Sequence, residues 1–170
     1  MKNIEIKARL TDRDAVEGRL RVIGAKHTWR RRQRDVFFRV AEGYLKLRVV
    51  ADEPSELIAY QRAPGTEPRP SDYDIAQIED GTVMERVLTR SLGVRGVVAK
   101  DRTLYLWHHT RIHLDEVDHL GSFLELETVA AEITLTEART EAQRVIHALG
   151  LDSTLFLDRP YLELLESAGG

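Results

Sequence analysis

Charged residues recur in this sequence as pairs two positions apart: Glu5 with Lys7, Lys46 with Arg48, Lys100 with Arg102, and Glu125 with Glu127. That spacing puts both members of a pair on one face of an extended strand. Together with Arg9, Arg62 and Arg111, the basic members form a set that would bind a compact polyanion if gathered in a concave site. Phosphate suits them best, because the guanidinium fork matches its oxygens. The acidic members are Glu5, Asp115, Glu125 and Glu127. Carboxylates beside a phosphate call for a divalent cation between them, and hard oxygen donors favour Mg²⁺ or Mn²⁺. The residue types therefore point to a polyphosphate site with a metal.

Other chemistries are poorly supported. The chain has no cysteine, so disulfides, thiolate metal sites and a cysteine nucleophile are excluded. It has neither Gly-x-x-x-x-Gly-Lys nor Gly-x-Gly-x-x-Gly, so phosphate binding at a glycine-rich loop has no motif behind it. His108 and His109 would point to opposite sides of a strand and no helical histidine pair exists, which argues against zinc. Arg30-Arg31-Arg32 reads as a solvated edge, and Trp29 and Trp107 as packing residues. The 25 Lys+Arg against 28 Asp+Glu give a net charge of −3, against a nucleic-acid partner. No run approaches the ~18 apolar residues of a membrane span. Charge at Lys2 and Glu5 interrupts any signal-peptide pattern. The expectation is one cytoplasmic domain over 1–170, with no membrane partner.

The elements that would carry these residues alternate with period two or repeat with helical period. Residues 3–9, 44–49, 111–117 and 123–127 alternate strictly. Further strands are expected at His27–Val40, Glu56–Arg62, Asp72–Ile78 and Val94–Trp107, about eight in all. Thr11 is expected to cap a helix over Asp12–Ile23, and Thr136 one over Glu137–Leu149. A helix over Asp80–Leu92 and a short one near Arg159–Glu166 complete the set, and Ala63–Ser71, with three prolines, reads as a loop.

An ordinary half-buried strand would turn these charges to water. Two features argue otherwise: the charges keep one parity in strand after strand, and at least three helices need an apolar surface to cover. The faces Ile4/Ile6, Leu45/Leu47, Ile112/Leu114 and Leu124/Leu126 supply it. An α+β fold follows: a closed or strongly curved antiparallel sheet with helices outside and its charged faces turned inward. Like charges stacked in that lumen would repel unless it held water and a charged ligand.

The same residues carry a resemblance. Asn3-Ile4-Glu5-Ile6-Lys7 resembles the N-terminal Glu-x-Glu-x-Lys signature of the CYTH superfamily, which joins class IV adenylyl cyclases with thiamine triphosphatases. Blocks at Gln33–Phe38, Gly43–Arg48, Tyr60–Arg62, Val98–Arg102, Arg111–Val117, Leu120–Glu127 and Tyr161–Leu165 follow in order, closest to the cyclase branch. The resemblance implies an eight-stranded antiparallel tunnel that holds a triphosphate and Mg²⁺ or Mn²⁺. It implies Glu5, Lys7 and Glu127 as catalytic residues and Glu5, Asp115, Glu125 and Glu127 as metal ligands. It implies Lys7, Arg9, Lys46, Arg48, Arg62, Lys100, Arg102 and Arg111 as substrate contacts. Tyr161 would close over the opening, and His113 would stand at the wall in a binding or a structural role. The implied substrate is ATP, thiamine triphosphate or inorganic triphosphate; the implied product is cyclic AMP with pyrophosphate, or orthophosphate if water attacks. A non-catalytic polyphosphate binder and a homodimer are also compatible. The sequence departs from the pattern at Asn3, where glutamate is expected, at Phe37, where tyrosine is common, and at Pro160, where a small polar residue is usual.

Overall fold

The computed structural model describes residues 2–62 and 69–169, without the side chains of 2, 62 and 69. Eight strands form the wall: β1 (Lys2–Arg9), β2 (Lys26–Phe38), β3 (Tyr44–Val50), β4 (Ser55–Arg62), β5 (Arg69–Ile78), β6 (Val94–Trp107), β7 (Thr110–Val117) and β8 (Gly121–Val129). All pairings are antiparallel, in the order β5-β4-β3-β2-β6-β7-β8-β1, and β1 returns to β5 to close the barrel. The closing seam is short, running from Lys2 opposite Asp72 to Glu5 opposite Arg69. Farther along, β1 gives the same edge to a ninth strand, β9 (Phe156–Leu157), at Lys7 and Ala8.

Four helices lie outside the barrel wall or across its end: α1 (Arg13–Val22), α2 (Gly81–Leu92), α3 (Leu135–Ala148) and α4 (Tyr161–Ala168). The outward faces of β1, β7 and β8 bury Ile6, Ile112, Leu114, Leu124 and Leu126 under Val16 and Leu20 of α1 and Val145 of α3. Each such aliphatic side chain stabilises the fold by about 1.5–3 kcal/mol. Val36, Phe38 and Leu47 on the opposite side lie beneath Met84 and Leu88 of α2. On β1, β3, β7 and β8 the apolar parity therefore faces out, toward helices, and leaves the charged parity inside.

Several boundaries differ from the sequence expectation. Asp12, not Thr11, caps α1, accepting from the Ala15 N–H. α3 begins two residues early, because Thr134 and Glu137 form the reciprocal capping box that Thr136 cannot form with that glutamate. α4 starts only at Tyr161, after Pro160. The expected loop over Ala63–Ser71 is corrected at its end: Arg69-Pro70-Ser71 already belong to β5, where they pair with β1. The rest of that loop lies outside the described residues. β6 bulges where Arg95 is skipped between the Phe37–Gly96 and Phe38–Val94 pairs.

Candidate active site

The inward parity is now a list of neighbours. On β1 and β8, Glu5 stands opposite Glu127 and Lys7 opposite Glu125. On β6 and β7, Arg102 stands opposite Asp115, and on β2 and β3, Asp35 opposite Arg48. These strands enclose a cavity of about 160 Å³, whose lining includes Asn3, Glu5, Lys7, Lys46, Arg48, Lys100, Arg102, Arg111, Glu125 and Glu127. A single bridging water needs only ~10–15 Å³. The space is therefore large enough for a ligand.

One end is stoppered. Phe37, Val98, Val117 and Phe123 point inward there and pack against Tyr161, Leu162 and Leu164 of α4. Gly96 permits the approach, since a Cβ at that position would stand 2.6 Å from Leu162 Cδ1. Tyr161 reaches farthest in. Its hydroxyl donates to Asp115 Oδ2 at 2.9 Å, and its ring lies 3.6 Å from Lys7 Nζ. Burial first, then the Asp115 charge, raises its phenol well above the usual value, so it stays a donor.

The charges inside are paired with opposite signs. Asp35 accepts from Lys46 at 2.8 Å and from Arg48 at 2.9 and 3.0 Å. Asp115 accepts two bonds from Arg102 at 2.7 and 2.6 Å and stands 3.6 Å from Lys100. Glu125 is bound by Lys7 and Arg102. Burial alone would raise the Asp35 pKa, but Arg48, Lys46 and Lys100 outweigh it and hold the carboxyl well below its usual range. Glu125 is likewise held well below, burial being outweighed by Lys7, Arg102 and Lys100. Glu127 is lowered too, burial being outweighed by the neighbouring His113 and Arg102. Lys100 goes the other way: burial, then the nearby Arg102 charge, brings it down to about 7.

Several sequence candidates stand elsewhere. Arg9 is exposed at the last position of the β1–β8 ladder, opposite Phe123, with its guanidinium 5.3 Å from the Phe123 ring centre. Asp115 and His113 are buried behind the lining. His113 Nε2 is 3.4 Å from Glu127 Oε2, without hydrogen-bond alignment. The Arg62 backbone pairs with Ser71, and its side chain lies outside the described residues. Conversely, the cavity gains residues that the sequence reading did not select: Asp35, Ile58, Tyr60, Ser71, Tyr73 and Ile75. Asp35 carried a signal, since Gln33, Asp35 and Phe37 share a parity within β2.

The donors present fit a hard divalent cation. Asn3, Glu5 and Glu127 share one patch of the lining, and Asn3 Oδ1 is buried without a hydrogen-bond partner among the described residues. No group of three or more carboxylates and imidazoles forms a ready metal cluster among the described residues. An ion such as Mg²⁺ needs only one or two carboxylates from the protein, its coordination completed by substrate oxygens and water.

The family described as CYTH domain matches residues 1–161. A Methanocaldococcus jannaschii protein named "Putative adenylate cyclase" is 26% identical over 176 residues, covering 96% of this chain and 98% of its own. A Pyrococcus horikoshii protein superposes with a TM-score of 0.85 at 22% identity, over 95% of this chain and 98% of that one. A Hippeastrum protein, titled as a "putative adenylyl cyclase" with a dominant triphosphatase activity, superposes with a TM-score of 0.66 at 18% identity, over 97% and 95%. With the family match spanning nearly the whole barrel, this chain belongs to the CYTH domain family.

Proposed function

We propose that the protein is an enzyme that cleaves a triphosphate-bearing substrate in the barrel cavity with a divalent metal, and that ATP cyclisation to cyclic AMP and pyrophosphate is its reaction. The observation that supports this most is the enclosed set of Lys7, Lys46, Arg48, Lys100 and Arg102, all lining one cavity. Such cations bind a phosphate chain from several sides and fix its conformation, which is most of what phosphoryl chemistry asks of a protein. Lys46 and Arg48 approach from β3, Lys100 and Arg102 from β6, and Lys7 from β1. Asn3, Glu5 and Glu127 would hold Mg²⁺ or Mn²⁺, which supplies charge neutralisation on phosphate oxygens and a more acidic attacking hydroxyl or water. Glu127 stays ionised throughout the neutral range. Asp115, locked by Arg102 and Tyr161, sets the position of Arg102.

The cyclase reading is supported by the name of the Methanocaldococcus relative. The Hippeastrum title favours a second reading, hydrolysis of the triphosphate by water. Incubation with ATP, thiamine triphosphate and inorganic triphosphate, with Mg²⁺ or Mn²⁺ and separation of products, decides between them. Cyclic AMP with pyrophosphate supports cyclisation, and orthophosphate in its place supports hydrolysis. Binding of triphosphate without any turnover would make the protein a polyphosphate binder. Glu127→Gln is expected to lower metal-dependent turnover about 10–100-fold while leaving the denaturation midpoint nearly unchanged. Equal losses in both would make Glu127 structural.

A further inference from the structure

Strand β2 outruns one of its neighbours. It pairs with β6 from Lys26 to Phe38, but with β3 only from Gln33 to Phe38. Over Lys26–Arg32 one edge of the strand therefore carries no ladder. Alternate residues of an antiparallel strand turn their N–H and C=O to opposite edges, so about half of the backbone groups in this stretch face that side. Among the described residues, the backbone of Lys26–Arg32 bonds to no backbone other than that of β6. The segment outside the described residues joins Arg62 to Arg69, at the far end of β4 from the β3–β4 turn that adjoins this edge. At about 3.3 Å per residue the bare edge runs about 23 Å, enough for a full strand.

The edge has one sign of charge. Lys26–Arg32 reads Lys-His-Thr-Trp-Arg-Arg-Arg, without an acidic residue. Arg32 is bound by Asp118, and Arg31 by Glu53 in the β3–β4 turn. Lys26 and Arg30 are exposed and have no carboxylate partner among the described residues. Glu53 stands just beyond the last β2–β3 pair, Gln33 with Val50, on the line that an added strand would continue. It shows which charge this edge accepts. Trp29 is half-buried opposite Leu104, with the Arg31 guanidinium 4.7 Å from its ring centre, and offers apolar surface at the middle of the edge.

Charges on an edge strand ordinarily keep other strands away. Charges of a single sign do so selectively: they repel a basic strand and admit an acidic one. A second copy of this edge is disfavoured, because antiparallel self-pairing about Trp29 sets Arg32 against Lys26 and Arg31 against His27, and like charges directly opposite are destabilising. A nucleic-acid backbone is a poorer match, since its phosphates only accept and leave the bare C=O groups unpaired. We propose that the Lys26–Arg32 edge of β2 is a docking site for an extended acidic segment of another protein, which joins the sheet as an added strand. Main-chain bonds supply the affinity, and Lys26 and Arg30 supply the selectivity. The docking site is independent of the chemistry in the barrel cavity.

The test uses the whole protein and end-blocked peptides of alternating glutamate and valine, with alternating lysine and valine as the control. Calorimetry reads affinity, and hydrogen exchange reads protection of the Lys26–Arg32 amides. The acidic peptide is expected to bind about tenfold or more tighter than the basic one and to slow exchange within Lys26–Arg32. The double variant Lys26→Glu with Arg30→Glu, at exposed positions, is expected to weaken the acidic peptide about tenfold. Two acidic peptides N-methylated at alternate residues, one in each frame, separate strand addition from mere attraction. One frame removes the N–H groups that face β2 and is expected to lose about tenfold or more, while the other frame binds as before. Equal binding of both frames, protection elsewhere than Lys26–Arg32, or tighter binding of oligothymidylate than of the acidic peptide would overturn the proposal. Failure of the acidic peptide to bind would make the edge a barrier only, which also overturns it.

Discussion

Binding of a triphosphate is expected to draw a proton into the protein, and Lys100 is the residue that takes it up. Lys100 is 2% exposed and faces Arg102, and these two influences bring its ammonium down to about 7. With that value, Lys100 carries a proton in about half the molecules at pH 7 and in about a tenth at pH 8. A polyanion arriving against it favours the charged form and returns it toward its ordinary range. Proton uptake on binding should then be about 0.1 at pH 6, about 0.5 at pH 7 and about 0.9 at pH 8. By the same linkage, affinity should fall about tenfold between pH 6 and pH 8 from this group alone. The assay is calorimetry with inorganic triphosphate in buffers of different ionisation enthalpy, in EDTA. Lys100→Met is the reference, since it retains the ligand's own titration and lacks the lysine. The difference between the two proteins should show the stated uptake. An uptake at pH 8 that is the same in both would refute the reasoning. The stability sign is also fixed. The unfolded chain keeps this proton up to the usual lysine range, while the folded protein releases it above about 7. In the window between, the unfolded state binds more protons, so this group makes stability rise with pH, and its penalty is fully present below 7.

Two further outcomes follow from the ion-pair geometry. Asp35→Asn should destabilise the protein by about 3–5 kcal/mol, because Lys46 and Arg48 lose their shared carboxylate inside the barrel. Inorganic triphosphate should restore more of the denaturation midpoint in that variant than in wild type, and an equal shift in both would refute the pairing. Tyr161→Phe should cost about 1.5–3 kcal/mol in chemical denaturation, through loss of the hydroxyl bond to the Asp115 carboxylate. A neutral result would show that the bond contributes little.

Parity was the legible part of this protein. Runs such as Ile4/Ile6 against Glu5/Lys7 disclose which side chains share a face, and the number of helices discloses which face needs covering. Parity does not disclose depth along the barrel axis. Arg9 has the same parity as Lys7 yet is exposed at the end of the β1–β8 ladder, over Phe123. Nor does it disclose counter-charges across strands. Asp35 meets Lys46 and Arg48 only once β2 and β3 pair, and in the sequence it sits beside Arg34, which points outward to Glu85. The two-residue β9 is too short for any periodicity. Pro70 concealed the start of β5, since a proline ordinarily argues against a ladder; here it sits where β5 and β1 pair over only four positions. The helix starts were misread by one or two residues because Thr11 adjoins Asp12 and Thr134 lies near Thr136. Only the spacing to Glu137 separates the latter two.

The carboxylates beneath Lys7, Lys46, Arg48, Lys100 and Arg102 act as placeholders. When a guest departs, Lys7, Lys46, Arg48 and Arg102 keep a counter-ion and Lys100 can shed its proton, so the vacated chamber need not cave in or cling to its product. Occupancy becomes an exchange of one set of anions for another, and a chamber that is equally at ease full or empty is one that can be refilled many times.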